Sequence, residues 1–550
     1  MARPPSATPP SGAHLRRRPL LAPRHPLHAP DEPRTGLDDR KGGGMNPSFD
    51  LLRSPWIPCL RTDGTLVELG LRDALVQAHE LREIHGESPL VTAALHRLLL
   101  AVLHRVFGPD SLGEWGRLWE AGCWDTARLD DYLDRWRDRF DLFHPERPFY
   151  QAPDERVKPK PLNRLIHEVA SGNNPTLFDH HTEVEGIALS PAQAARVLVT
   201  VQAFGLCGTK GPTMQFTDAP WARGVIFLVQ GRTLFETLAL NLIRPPRDMI
   251  GDDPSKDRPA WEMEDPFTPD RAKPYGYLDY LTWQNRRILL LPEGTSGDII
   301  VRKATMAPAL RLAPGVLDPM KHYFQDKKRG PLPLLFTAER ALWRDSAALF
   351  QLRSEGYRPP LAFYWLATLI EEGYLDPSQT RRYLAMGMSS VPGQAKVHFY
   401  RSERMPLPLR YLREPALVEG LSEALEMAEG ASRQLWGAVR TLATLLLSPE
   451  ADAQEGRQPD RTELDRLMNQ WAVDRFYWSR LELPFRTLVE SLPKEKEGAL
   501  EVWRQVLRQT AWRAFGRVAD GLSHDPRALK ATVRARGKLA AGLLKVLPES

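Results

Sequence analysis

Ser190-Pro-Ala-Gln-Ala-Ala-Arg-Val-Leu-Val-Thr-Val-Gln-Ala-Phe204, Gly205-Leu-Cys-Gly-Thr-Lys-Gly211 and Gly224-Val-Ile-Phe-Leu-Val-Gln-Gly231 follow one another along the chain. The first reads as an apolar helix, with Ser190 as its N-cap and Pro191 at its first helical position. The third is a compact apolar run bounded by glycines, the pattern of a buried strand. Between them, glycines and one cation, Lys210, offer backbone amides and a positive charge to a nucleic acid. Gly205 also has a plain structural reading, since glycine is favoured just past a helix C-terminus. That leaves Gly208, Lys210 and Gly211 to be accounted for by close backbone approach to a ligand.

Working outward, helix and strand signals mix without a regular βαβ alternation, so the expected class is α+β. Upstream, Phe49-Asp-Leu-Leu-Arg-Ser-Pro-Trp-Ile-Pro58 and Thr65-Leu-Val-Glu-Leu-Gly70 flank a turn containing Asp63-Gly64 and predict a hairpin. Helical periodicity covers 89–107, 112–124 and 129–140. Downstream, 233–243 reads as a helix, 244–275 as loop, and 287–292 with 298–302 as strands. The turn Val391-Pro-Gly-Gln-Ala-Lys396 presents Gln394 and Ala395 at its tip. From about Arg413 four helical runs, 415–447, 461–492, 496–522 and 526–547, predict a C-terminal four-helix bundle. The division expected is a tail at 1–44, a large mixed domain at 45–408 and the bundle at 409–550. The Gly42-Gly43-Gly44-Met45 junction, directly before an ordered pattern, favours a misassigned start over a disordered basic tail or a targeting segment.

The net charge of +5 suggests nucleic acid, but residues 1–44 hold eight basic and four acidic side chains, leaving about +1 for the remainder. Any phosphate-binding surface must therefore come from local clustering, and Lys321, Lys327, Lys328 and Arg329 form one cluster. Cys59, Cys123 and Cys207 are too few and too scattered for a disulfide framework or a four-thiolate zinc site, which points to the cytoplasm. No apolar run approaches the roughly 18 residues that crossing a bilayer needs, so no membrane association is expected.

No phosphate-binding loop, nucleophile elbow, His-Glu-x-x-His or Cys-x-x-Cys pattern is present. His96 and His104 lack the spacing of a helical metal pair and read as core histidines. Asp179-His180-His181 matches a string found in metal-dependent phosphoesterases, the alternative enzymatic reading. Such sites need further aspartates to hold two cations, and no Asp-rich companion motif follows.

The strings Phe49 to Pro58, Ala170-Ser-Gly-Asn-Asn-Pro-Thr-Leu-Phe-Asp-His180, Phe216-Thr-Asp-Ala-Pro-Trp-Ala-Arg-Gly224, Thr233-Leu-Phe-Glu-Thr-Leu238 and Tyr277-Leu-Asp-Tyr-Leu-Thr-Trp-Gln284 together resemble the CasA family. That family supplies the large subunit of Cascade, the type I-E CRISPR surveillance complex. The likeness spans nearly the whole chain after Met45. It implies a non-enzymatic subunit that recognises a protospacer-adjacent motif in double-stranded DNA, starts strand separation and helps recruit a helicase-nuclease for antiviral defence. By the same resemblance, Asn173, Asn174, Phe178, Asp179 and His180 belong to a loop beside the guide RNA and other Cascade subunits. Gly205 and Gly208 fall on a glycine loop facing the minor groove, and Gln394-Ala395 on a wedge pushed into the duplex. A family lysine that enters the groove falls among Arg302, Lys303 and Arg311, with Lys303 taken as the candidate. Some relatives carry cysteines suggestive of a zinc site; this chain has none there, and no metal or cofactor is expected.

Overall fold

The hairpin expected near the start of the ordered chain forms from strands β1 (Ile57–Arg61) and β2 (Leu66–Leu69), antiparallel with Ile57 opposite Leu69. Its turn is fixed by Asp63, whose carboxylate accepts the Thr65 amide at 2.8 Å, and by Gly64 at φ +93°, a conformation that favours glycine. A third strand, β3 (Leu81–Ile84), pairs on the other side of β1. This computed structural model describes residues 47–166, 187–209, 214–251, 253–294, 297–390, 393, 396–450, 458–522 and 525–548. The expectations for residues 1–44 lie outside it. Residues Met45–Ser550 cluster as one unit.

Helix α1 (Pro89–Phe107) is the central rod of the mixed region, buried on nearly every side. It corrects one expectation, because its 19 residues are long and apolar enough by composition to span a bilayer; 83% of that window is instead covered by the rest of the fold. A helix apolar all round is a core helix when protein surrounds it. Its buried guanidinium, Arg97, donates to the Leu281 carbonyl at 2.9 Å and lies 4.7 Å and 4.8 Å from the ring centres of Trp221 and Tyr280. His96 and His104 are core residues of the same helix: Nδ1 of His96 lies 2.8 Å from the Thr92 carbonyl, and burial lowers His104 to about 3.

Helix α2 (Pro191–Phe204) packs along α1 and begins as its sequence predicts. The Gln193 amide donates to Ser190 Oγ at 3.3 Å and the Ser190 amide donates to Gln193 Oε1 at 3.0 Å, a reciprocal cap. The apolar run after Gly224 becomes β4 (Ile226–Gln230). Strands β5 (Arg286–Glu293) and β6 (Ile300–Pro308) pair with each other, and β6 also takes the short Lys160–Pro161 strand. A long hairpin, β7 (Thr380–Ser390) and β8 (Val397–Pro408), adds to β4 in the order β8-β7-β4. The helix expected at 233–243 covers Leu234–Leu240, with Thr233 Oγ1 accepting the Glu236 amide at 3.2 Å.

The C-terminal region is helical, as its periodicity predicts: α3 (Pro415–Leu447), α4 (Arg461–Trp471), α5 (Val473–Ser491), α6 (Lys496–Ala519) and α7 (Pro526–Val546). The second expected run is broken into α4 and α5 by Ala472, which sits at φ +47°, ψ +41°. Alanine carries no sequence signal for a left-handed residue, so the pattern hides the break. Helix α3 is the centre of this group, and Tyr477 and Trp503 both donate to its carbonyls, at Ala428 (3.0 Å) and Ala424 (2.8 Å). Trp343 and Arg344 join the mixed region to it: the Trp343 ring lies 4.5 Å from Phe485, and the Arg344 guanidinium meets Glu429 at 2.5 Å.

Replacing Ser190 with Ala removes the acceptor for the Gln193 amide and should cost about 0.5–2 kcal/mol in chemical denaturation. Adding Gln193→Ala should cost less than the sum of the two single changes, because the two halves of the cap support each other. Strict additivity would contradict the reciprocal geometry.

Candidate nucleic-acid interface

Helix α2 ends at Gly205, whose amide donates to the Val201 carbonyl at 2.9 Å and whose carbonyl accepts the Ala219 amide at 2.7 Å. Gly205 is buried at φ −55°, so no left-handed conformation explains it. Space does: a Cβ there would sit 2.3 Å from the guanidinium carbon of Arg286. Arg286, 2% exposed, donates to the Leu206 carbonyl at 2.7 Å and to Asn285 Oδ1 at 2.5 Å. Burial lowers it to about 10, which leaves it charged at neutral pH. The structural reading of Gly205 thus acquires a specific cause: a buried cation lies against its α-carbon.

Past Gly205 the chain turns into a short antiparallel ladder, Gly208–Thr209 against Gln215–Phe216, with Gly208 opposite Phe216. These two short strands form the stem of a hairpin. Lys210 and Gly211 lie outside the described residues. The stem is fixed by Asp218: the Cys207 amide donates to its Oδ1 at 2.7 Å, and Arg223 Nε donates to its Oδ2 at 3.0 Å. Burial raises the Cys207 thiol, and the neighbouring Asp218 carboxylate adds to the effect, so the sulfur stays protonated.

Arg223 reaches further. Its Nη1 donates to Ser390 Oγ. Ser390 is the last residue of β7 and stands opposite Val397, across the turn expected to carry the wedge. Gln394 and Ala395 lie outside the described residues, while Gly393 between them and β7 is exposed at φ +77°. One guanidinium thus ties the stem of the glycine hairpin to the stem of the β7–β8 hairpin.

Lys303 is exposed on β6, in register with Leu291 on one side and Pro161 on the other. Among the described residues no carboxylate lies within ion-pairing distance of it, whereas Arg302 meets Glu293 at 3.4 Å. Arg311 is exposed in the segment after β6. Strand β6 borders the glycine hairpin, since Ala304 and Met306 line one cavity with Met214 and Phe216. The basic cluster read at 321–329 is corrected in part. Lys321 is 7% exposed, its Nζ donates to the Pro220 carbonyl at 2.7 Å, and burial lowers it to about 8. Lys327, Lys328 and Arg329 remain exposed at a turn.

Asn173, Asn174, Phe178, Asp179, His180 and His181 lie outside the described residues. Just before them, Asn163 is fully buried with both amide atoms unpartnered among the described residues. No group of three His, Cys, Asp or Glu suited to a metal ion occurs among the described residues. Sequence reasoning missed Asp218, Arg223, Arg286 and Ser390. Their pairing joins segments far apart in the chain, and a lone charged residue in a loop gives no periodic signal.

Gly205→Ala should destabilise the protein by roughly 1–3 kcal/mol in denaturant titration without any nucleic acid present, because the added methyl must displace Arg286. A stability equal to wild type would contradict the packing account.

The model of the CRISPR-associated protein Cse1 family matches residues 50–514. A curated relative, the CasA/Cse1 protein of Thermus thermophilus, is 37% identical over 519 residues, covering 91% of this chain and 98% of its own. The solved Cse1 structure from Acidimicrobium ferrooxidans superposes with a TM-score of 0.77 at 27% identity, covering 91% of this chain and 98% of the other. A chain solved within a CRISPR RNA-guided surveillance complex gives 0.71 at 26% identity, covering 90% and 100%. Motif strings, mixed architecture and full-length similarity agree: the chain belongs to the CRISPR-associated Cse1 family, the CasA subunits of type I-E surveillance complexes.

Proposed function

We propose that the chain recognises the protospacer-adjacent motif of a double-stranded DNA target through the minor groove, begins strand separation beside it, and leaves bond cleavage to a helicase-nuclease that it helps recruit. The observation that carries this reading is the Asp218–Arg223–Ser390 connection, which ties the stems of two hairpins together. On one hairpin Gly208 and Lys210 would face the groove; on the other Gln394 and Ala395 would enter the base stack. Lys303, on the neighbouring strand, would supply a second cation.

The minor groove distinguishes mainly A·T from G·C pairs, so a reader made of amides, cations and one glutamine tolerates several sequences. Opening a base step costs a few kcal/mol, offset by backbone contacts and by the RNA–DNA pairs that form next. Asn173, Asn174, Phe178, Asp179 and His180 are proposed to contact guide RNA and the other Cascade subunits. Membership of the Cse1 family, and likeness to a chain from an RNA-guided surveillance complex, support that setting. The work requires no metal or cofactor in this reading, and its place is the cytoplasm.

Within the assembled complex, Gln394→Ala should weaken binding of motif-bearing duplex by about 1–3 kcal/mol, and Gly208→Asp by more, with assembly unchanged. Lys210→Ala should reduce the slope of log affinity against log salt by about 0.9. Duplex affinity identical in wild type, Gln394→Ala and Gly208→Asp would overturn the assignment.

A further inference from the structure

Beside the glycine hairpin lies a cavity of about 400 Å³, within the size range of small-ligand sites. Two features define its chemistry. Its wall is apolar, formed by Val157, Leu165, Phe216 and Met306 among others. Every charged residue lining it is cationic: Arg156, Lys158, Lys160 and Arg164. Arg156 is held by Asp154 at 2.8 Å through Nε. Lys158 and Lys160 are exposed, and among the described residues neither has a carboxylate within ion-pairing distance.

An apolar wall under a cationic rim, with no acidic lining residue, matches a nucleotide: a flat base against carbon and a phosphate toward ammonium groups. Position narrows the source. Phe216 stands opposite Gly208 in the glycine hairpin, and Ala304 and Met306 flank the cavity from the strand that carries Lys303. Lys160 is in register with Ala304. The cavity therefore adjoins the surface assigned above to duplex DNA.

We propose that this cavity holds one unpaired nucleotide of target DNA, its base against Phe216 and Met306 and its phosphate between Lys158 and Lys160. The proposal rests on the DNA-reading assignment and adds to it a site that captures what strand separation releases. With no polar side chain from the wall to match a base edge, capture is independent of base identity.

The test uses the full chain and a fluorescent eight-nucleotide oligothymidylate, measured by anisotropy beside a strand of equal length that lacks bases. The base-bearing strand should bind roughly tenfold tighter, the scale of one stacked base. Val157→Trp, which fills the cavity, should abolish that preference while leaving binding of the baseless strand unchanged. Lys158→Ala with Lys160→Ala should weaken both strands and lower the salt slope by about 1.4. Val157 is half-buried and Lys158 and Lys160 are exposed, and an unchanged melting temperature checks that each variant folds. Equal affinity for the two strands, or wild-type binding by the lysine variant, overturns the proposal. A tenfold preference for oligouridylate would assign the cavity to RNA and overturn the DNA assignment. Motif-duplex binding by Gln394→Ala and Gly208→Asp separates the two readings: losses there with no base preference here refute the cavity alone, whereas no losses there refute the motif reading itself.

Discussion

The Arg223 guanidinium is the constraint on which the candidate surface depends. It holds Asp218, which fixes the Cys207 amide at the root of one hairpin, and it holds Ser390 at the root of another. Hairpins of this size have little stability by themselves. A two-residue ladder such as Gly208–Thr209 with Gln215–Phe216 keeps a defined position only because its stem is anchored to something larger. Here the anchor is β7, the central strand of its sheet, so two hairpin stems distant in sequence are tied to one sheet.

Basic residues divide into two populations with different work. Arg97, Arg196, Arg286 and Lys321 are buried and spend their donors on backbone carbonyls, aromatic faces or carboxylates. Losing the cation at such a site leaves its partners unpaired in a dry environment, which is why a single methyl at Gly205 matters. Lys158, Lys160 and Lys303 are exposed and meet no carboxylate among the described residues, and they are among the cations available to a phosphate. Net charge cannot separate the two populations. This explains why the overall value of +5 says so little about a nucleic-acid partner, and why Lys321 dropped out of a cluster that looked basic in sequence.

The legible parts of the fold are those with local causes. Ser190, Pro191 and Gln193 announce the start of α2 because capping chemistry is complete within four residues. Asp63-Gly64 announces the first hairpin for the same reason, and the glycine-bounded run before Gln230 announces β4. What the pattern concealed has non-local or silent causes. The break at Ala472 is conformational in a residue with no preference for it, and the burial of α1 depends on what surrounds it. Of the candidate site, Gly208, Lys303 and the turn after Ser390 are nominated by residue type and family likeness alone. The bridge between the two hairpin stems could not be read this way, because Arg223 and Ser390 are far apart in sequence and the three residues, Asp218 included, meet only in the folded chain.

Hydrogen exchange at the Cys207 amide in a Ser390→Ala variant tests the shared anchor most directly, because the change is made at one hairpin and read at the other. If Ser390 steadies Arg223, and Arg223 steadies Asp218, the Cys207 amide should exchange several-fold faster than in the wild type while amides in the middle of α1 stay unchanged. Identical protection of Cys207 in the two proteins would mean that the two hairpin stems are positioned independently, and the proposed shared surface would lose its structural basis.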